Sequence, residues 1–288
     1  MRGKQSGLAV AVALLVAGLS GCVMRIGEGD VFLPPAVADD RDTLEFDRED
    51  ELRSEFGATV THQRLELADT RIAVTRARAA DMPDAAPLIV SCSGNASDRP
   101  RTGTNYAAKL LPFGEAVLWD YPGYGDSEGT ASVAELAAVS DAFALWLSEQ
   151  AGERPLILWG HSLGGFVCSE LARRTDAVDA IILETTARNV DEVAGAWKPW
   201  WAPVRLRPDE GLTSFDTANA LAGFPGPILV VGAGRDKVLP IELHRSLADA
   251  IDAPFVSYLE IPEATHYSAG FDPRTVDAVT RLVGQLAP

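Results

Sequence analysis

One serine stands out in the stretch "LILWGHSLGGFVCSELARR", residues 156–174. Ser162 lies within Gly160-His161-Ser162-Leu163-Gly164-Gly165. A serine hydroxyl is a weak nucleophile until a base takes its proton, and the base in turn needs an acid to orient it. The chain has four histidines. His62 falls in an upstream hairpin, His161 adjoins the serine at a tight turn where neighbouring side chains point apart, and His244 reads as a surface position of a helix. His266, in the loop "EATHYSAG", is the candidate base. Asp236, in "VVGAGRDKVLP", is the candidate acid. The chain order is Ser162, Asp236, His266, the order expected where the serine sits in a G-x-S-x-G turn between strand and helix.

The flanking sequence must bring these three together. Leu156 to Trp159 form a short apolar run that reads as a buried strand, and Phe166 onward reads as a helix ending in Arg173-Arg174. Ser162 therefore sits at a strand-to-helix turn. "HQRLELA" and "RIAVTRARA" read as a hairpin turning at Asp69-Thr70. "APLIVSC", "EAVLWDY", "RPLILWG", "DAIILET", "GPILVVGAG" and "FVSYLEI" then alternate with helical segments up to a last helix near 273–286. This alternation predicts a mostly parallel central sheet with helices on both faces. Loops after parallel strands gather at the sheet's C-terminal edge, where Ser162, Asp236 and His266 would meet.

A tetrahedral intermediate needs hydrogen-bond donors for its oxyanion. The backbone N–H of Leu163 is one. The backbone N–H of Asn95, in Ser93-Gly94-Asn95-Ala96 after the strand "PLIVSC", is the other. Residues 188–222 interrupt the rhythm with Trp197, Trp200 and Trp201 among prolines. So long a connection is often a functional lid, although the tryptophans could equally serve to pack an insertion down. Together with Tyr121 they form a candidate pocket for an apolar or aromatic acyl group.

Net charge is −16, with no basic stripe, which argues against nucleic acid as a partner. Arg2 and Lys4 precede an apolar run, Leu8 to Leu19, too short to span a bilayer comfortably. That run ends in Leu19-Ser20-Gly21-Cys22, which resembles a bacterial lipoprotein signal cut before a lipidated cysteine. The resemblance implies that residues 1–21 are a signal peptide and that Cys22 anchors the protein to a membrane of the cell envelope. Residues 22–60 read as a tether and acidic lead-in, and 61–288 as the folded domain. Cys92 and Cys168 read as two buried free thiols.

From about residue 60 the chain resembles the α/β-hydrolase-fold serine hydrolases with a short lid. "GHSLGG" is a form of their elbow, "DYPGYGDSEG" is similar to one of their glycine-rich loops, and "GRDKVLP" and "THY" stand where acid and base are expected. Many relatives carry His-Gly before the oxyanion residue, where this chain has Ser93-Gly94. The resemblance implies a carboxylic ester, thioester or related small-molecule acyl substrate and no metal or organic cofactor. A peptidase of the same fold, or a catalytically silent envelope binding protein, are the alternatives.

Overall fold

The structure is a computed structural model that describes residues 22–35, 44–198, 201 and 203–286. Lipobox residues 19–21 and Trp200 lie outside these. Eight strands form one sheet in the order β10-β9-β7-β6-β4-β5-β3-β2. The hairpin β2 (Thr59–Leu67) and β3 (Thr70–Arg78) is antiparallel, and β3 runs antiparallel to β5 (Glu115–Trp119). All other neighbours are parallel: β4 (Leu88–Cys92), β5, β6 (Leu156–His161), β7 (Val178–Glu184), β9 (Ile228–Ala233) and β10 (Val256–Ile261). The antiparallel edge is therefore the opening hairpin, as its turn sequence predicts.

Strands β4, β5, β6 and β9 are buried at every position. This is why their sequences are nearly continuous apolar runs rather than alternating ones, for a parallel strand covered on both faces has no wet side. The covering helices are α3 (Arg99–Leu110), α4 (Val133–Ala151), α5 (Leu163–Ala172), α8 (Ile241–Ala250) and α9 (Pro273–Leu286). Two apolar clusters result, one on each face of the sheet: Leu88, Val90, Leu156 and Leu158 point to one, and their alternates Ile89, Ile157 and Trp159 to the other. The α/β-hydrolase architecture expected from the sequence is the one observed.

Three expectations are corrected. First, the described part of residues 22–60 is no loose tether. β1 (Cys22–Ile26) pairs in parallel with β8 (Val204–Pro208), a strand inside the 188–222 insertion. After the short helix α1 (Glu28–Val31), Phe32 is buried edge-on against Phe215, with ring centroids 6.0 Å apart. Farther on, α2 (Glu49–Phe56) buries Leu52. The acidic composition hid these contacts because a few apolar anchors suffice to hold a polar segment down.

Second, Cys92 and Cys168 form a disulfide, with their Cα atoms 5.9 Å apart. The cause is local: a Cβ on Gly164 would lie 1.9 Å from the Cys92 carbonyl oxygen. A glycine there lets the first turn of α5 press onto the end of β4, and Cys168, one turn on, then faces Cys92. Third, His244 is fully buried rather than on the surface, because α8 turns Leu243, His244 and Leu247 toward the sheet.

The insertion itself contains α6 (Val190–Trp197), β8, a 3-10 turn at Leu212–Ser214 and α7 (Thr217–Ala220). No helix among the described residues is long and apolar enough to cross a membrane.

Candidate active site

Ser162 follows β6 directly and precedes α5, with φ 54° and ψ −120°. For a residue with a side chain this is a sparsely populated conformation, costing on the order of 1–3 kcal/mol, and it persists only where its surroundings over-determine it. Here they do. The Ser162 N–H donates to the Glu184 carbonyl at 2.9 Å, and the Ser162 carbonyl accepts from the Gly165 N–H at 2.9 Å. Gly160 and Gly164 make the turn tight enough, since a Cβ on Gly160 would stand 2.4 Å from the Gly164 carbonyl oxygen. The side chain is thereby presented at the C-terminal edge of the sheet, above the N-terminus of α5, where the first N–H groups of a helix have no intrahelical partner.

Asp236 and His266 come from the loops after β9 and β10. The His266 Nδ1–H donates to Asp236 Oδ2 at 2.7 Å, and both side chains are buried. Asp236 Oδ1 accepts from the N–H groups of Val238 (2.8 Å) and Leu239 (2.9 Å). Burial pushes the Asp236 carboxyl up, but the hydrogen bond and charge of His266 and the two backbone donors outweigh it and hold the group below its ordinary value. With Nδ1 committed to the acid, His266 keeps Nε2 as its free basic nitrogen.

His161 joins the nucleophile and base loops. Its Nε2–H donates to the His266 carbonyl at 2.9 Å, and the Thr185 hydroxyl donates to the same oxygen at 3.2 Å. His161 Nδ1 then accepts from the Tyr106 hydroxyl at 3.2 Å. Burial lowers its pKa to about 4, so it is neutral and serves as a strut. Below it Glu184 accepts from Lys109 Nζ (2.8 Å), Trp159 Nε1 (2.8 Å) and the Gly270 N–H (2.9 Å). Its burial would raise the carboxyl, yet the Lys109 charge and these donors bring it down to about 2. A buried pair of this kind costs roughly 3–5 kcal/mol when one partner is removed.

A cavity of about 110 Å³ opens beside Ser162, lined by Ile26, Val31, Leu163, Val193 and Trp197, with Asn95 at its edge. Leu163 and Asn95, the expected oxyanion donors, thus line the same cavity as Ser162. The Asn95 side chain has another role that the sequence did not signal. Its Nδ2 donates to the Val31 carbonyl, and its Oδ1 accepts from the Leu33 N–H and the Tyr124 hydroxyl, both at 2.9 Å. Asn95 therefore fastens the N-terminal strap to the loop beside the nucleophile.

The aromatic pocket is only partly assembled. Trp197 lines the cavity and donates from Nε1 to the Val238 carbonyl at 2.8 Å. Trp201 is 61% exposed and does not line it. Tyr121 is buried in the core, where its hydroxyl donates to the Ser93 carbonyl at 2.7 Å; it braces the loop and forms no part of the cavity wall. Among the walls the sequence missed are Ile26 and Val31, whose short apolar runs far upstream of Ser162 carry no sign of contact with it.

Residues 115–224 match the family model for the alpha/beta hydrolase fold. An uncharacterized protein of Mycobacterium tuberculosis (strain H37Rv) is 31% identical over 199 residues, covering 68% of this chain and 67% of its own length. The lysophosphatidylserine lipase ABHD12 of Danio rerio is 33% identical over 181 residues, with 57% of this chain and 47% of the lipase covered. The chain thus spans about half the length of that relative. The esterase Pf2001 of Pyrococcus furiosus superposes with a TM-score of 0.64 at 14% identity, covering 89% of this chain and 98% of the esterase. The chain belongs to the α/β-hydrolase family.

Proposed function

We propose that this protein is a lipid-anchored serine hydrolase of the bacterial cell envelope that cleaves a carboxylic ester or related acyl bond through an acyl-enzyme. The observation that carries the reading is Ser162 in its strained turn, beside a loop that holds His266 on Asp236 at 2.7 Å. Ser162 Oγ attacks the acyl carbon while His266 Nε2 takes the hydroxyl proton. The oxyanion forms against the N–H groups of Leu163 and Asn95. His266 returns the proton to the leaving alcohol, the C–O bond breaks, and the acyl-enzyme remains. Water, deprotonated by His266, then releases the acid and restores Ser162. Asp236 orients the imidazole and stabilises its cation throughout.

The cavity's aliphatic walls suit an alkyl acyl chain, and the name of the Danio rerio relative, a lysophosphatidylserine lipase, supports a single-chain lipid ester as the class to try first. A disulfide between Cys92 and Cys168 supports an oxidising compartment outside the cytoplasm, and Leu19-Ser20-Gly21-Cys22 supports anchoring through Cys22. A fluorophosphonate probe tests the chemistry. Wild type is expected to label and Ser162→Ala to stay unlabelled; a folded wild type that takes no label would overturn the reading. Anchoring is tested separately: Cys22→Ser is expected to release the protein from membranes and change its electrophoretic mobility.

A further inference from the structure

The strap and the lid strand form a small parallel sheet apart from the main one, with Val23 beside Arg205 and Arg25 beside Arg207. Side chains alternate across a strand, so this sheet has two faces of different character. One carries Val204, which is buried, the half-buried Leu206, Ile26, which lines the cavity beside Ser162, and at its far side the exposed Met24. The other carries Val23, Arg25, Arg205 and Arg207, all exposed. Trp201, 61% exposed, lies three residues before β8, and Trp197, 51% exposed, ends α6, which packs near β8, and lines the cavity.

The charge on this surface runs against the rest of the molecule. Residues 22–27 and 198–208 contain Arg25, Lys198, Arg205 and Arg207 and no Asp or Glu, in a chain of net charge −16. Among the described residues Arg205 and Arg207 form no ion pair. Arg25 has only the exposed Asp209 carboxylate at 3.6 Å. The largely buried Arg76 and Arg154, by contrast, both reach Glu115. Unpaired cations grouped with exposed tryptophans match an anionic headgroup layer, which attracts Lys and Arg and accommodates indole rings at its boundary. The chain's own connectivity fits, because β1 begins at residue 22, the residue that carries the anchor in the reading above.

We propose that the outer face of the β1–β8 sheet, together with the exposed Trp197 and Trp201, docks on an anionic bilayer and holds the rim of the Ser162 cavity against the lipid. The inference rests on the anchored reading above and adds an orientation to it: a lipid anchor on a free tether would leave the cavity facing any direction. Here the anchor strand is itself a wall of that cavity, through Ile26.

The test uses the full-length protein reconstituted into vesicles of brominated phosphatidylcholine, with or without phosphatidylglycerol, and reads tryptophan quenching alongside co-sedimentation. Quenching is expected to be at least about twofold greater with phosphatidylglycerol and to fall toward the phosphatidylcholine value in about 0.5 M salt. Arg205→Glu/Arg207→Glu, at two exposed positions, should abolish the difference, and Trp201→Phe should reduce it. Equal quenching in both lipids, unmoved by charge reversal in protein that still sediments with the vesicles, overturns the docking face while leaving the anchor standing. Sedimentation with phosphatidylglycerol vesicles alone, lost on charge reversal, supports the face and overturns the anchor. Sedimentation with neither overturns both.

Discussion

His244 Nε2 lies 3.5 Å from Asp236 Oδ2, the same oxygen that accepts the His266 Nδ1–H at 2.7 Å. The Ala233 N–H points at His244 Nδ1 at 3.3 Å, which leaves the His244 proton on Nε2, the nitrogen nearer the acid, though Nε2 makes no hydrogen bond among the described residues. Burial lowers the His244 pKa to about 4, so near neutral pH the acid meets one reactive imidazole and one neutral dipole. That neutral ring adds no second positive charge beside the Asp236 carboxylate. His244→Leu is expected to lower kcat/KM by about threefold to tenfold, roughly 1 kcal/mol, with KM for a soluble ester little changed. His244→Gln, which keeps an N–H in reach, should recover most of the loss. Steady-state kinetics on a p-nitrophenyl ester decide it, and an unaltered kcat in His244→Leu would remove the residue from the site's electrostatics.

Asp236→Asn probes the direct bond. The amide preserves size but turns an acceptor of the His266 Nδ1–H into a group that can offer its own N–H, so the imidazole is held in the wrong tautomer. A fall in kcat of the order of 10⁴ is expected, with the fold intact because Val238 and Leu239 still have a carbonyl oxygen to donate to. If Asp236→Asn keeps more than about a tenth of wild-type kcat, some other group orients His266.

Both predictions begin from residues that the sequence exposes unequally. Ser162, Asp236 and His266 are legible because each follows an apolar strand run, and chain order then restricts their pairing. The parallel sheet is legible for the same reason. His244 is not, although Leu243 and Leu247 flank it at helical spacing; a single histidine on such a face changes the pattern too little. The role of Asn95 also depends on contacts with Val31 and Leu33 more than sixty residues away in sequence, which no local pattern encodes. The disulfide escaped for a geometric reason. Its formation follows from the approach of α5 to β4 at Gly164, and spacing between two cysteines says nothing of that. Tyr121 misled because an aromatic residue near a glycine-rich loop looks the same in sequence whether it faces substrate or core.

Acid should destabilise this fold in a definite order. Burial lowers the pKa values of His161 and His244 from 6.5 to about 4. The unfolded chain therefore takes up these protons below pH 6.5, while the folded chain resists until about pH 4. The stability is fully present above 6.5 and is lost as pH falls through that window, about 2 kcal/mol for each histidine by pH 5. Glu184 acts lower. Burial alone would raise it, but Lys109 and the other partners carry it from 4.5 down to about 2, so its contribution is present above 4.5 and lost below. Urea unfolding at a series of pH values should show the histidine phase first, shallower in His244→Gln. Constant stability between pH 7 and pH 5 would contradict the buried neutral state of both rings.

The bond between Cys92 and Cys168 closes 76 residues of chain, from the end of β4 to the middle of α5. Cross-linking so long a loop restricts the unfolded ensemble, and removing such a bond typically costs about 2–4 kcal/mol. Cys92→Ala/Cys168→Ala should therefore melt several degrees below wild type, and reductant should lower the Tm of wild type but not of the double variant. Activity at low temperature should survive better than stability, because Gly164 and the Ser162 turn are held by backbone bonds that the disulfide does not supply. Thiol titration gives an independent count. In denatured Cys22→Ser protein, no thiol should react before reduction and two should react after it. Two reactive thiols without reductant would restore the simpler reading of Cys92 and Cys168 as buried core residues.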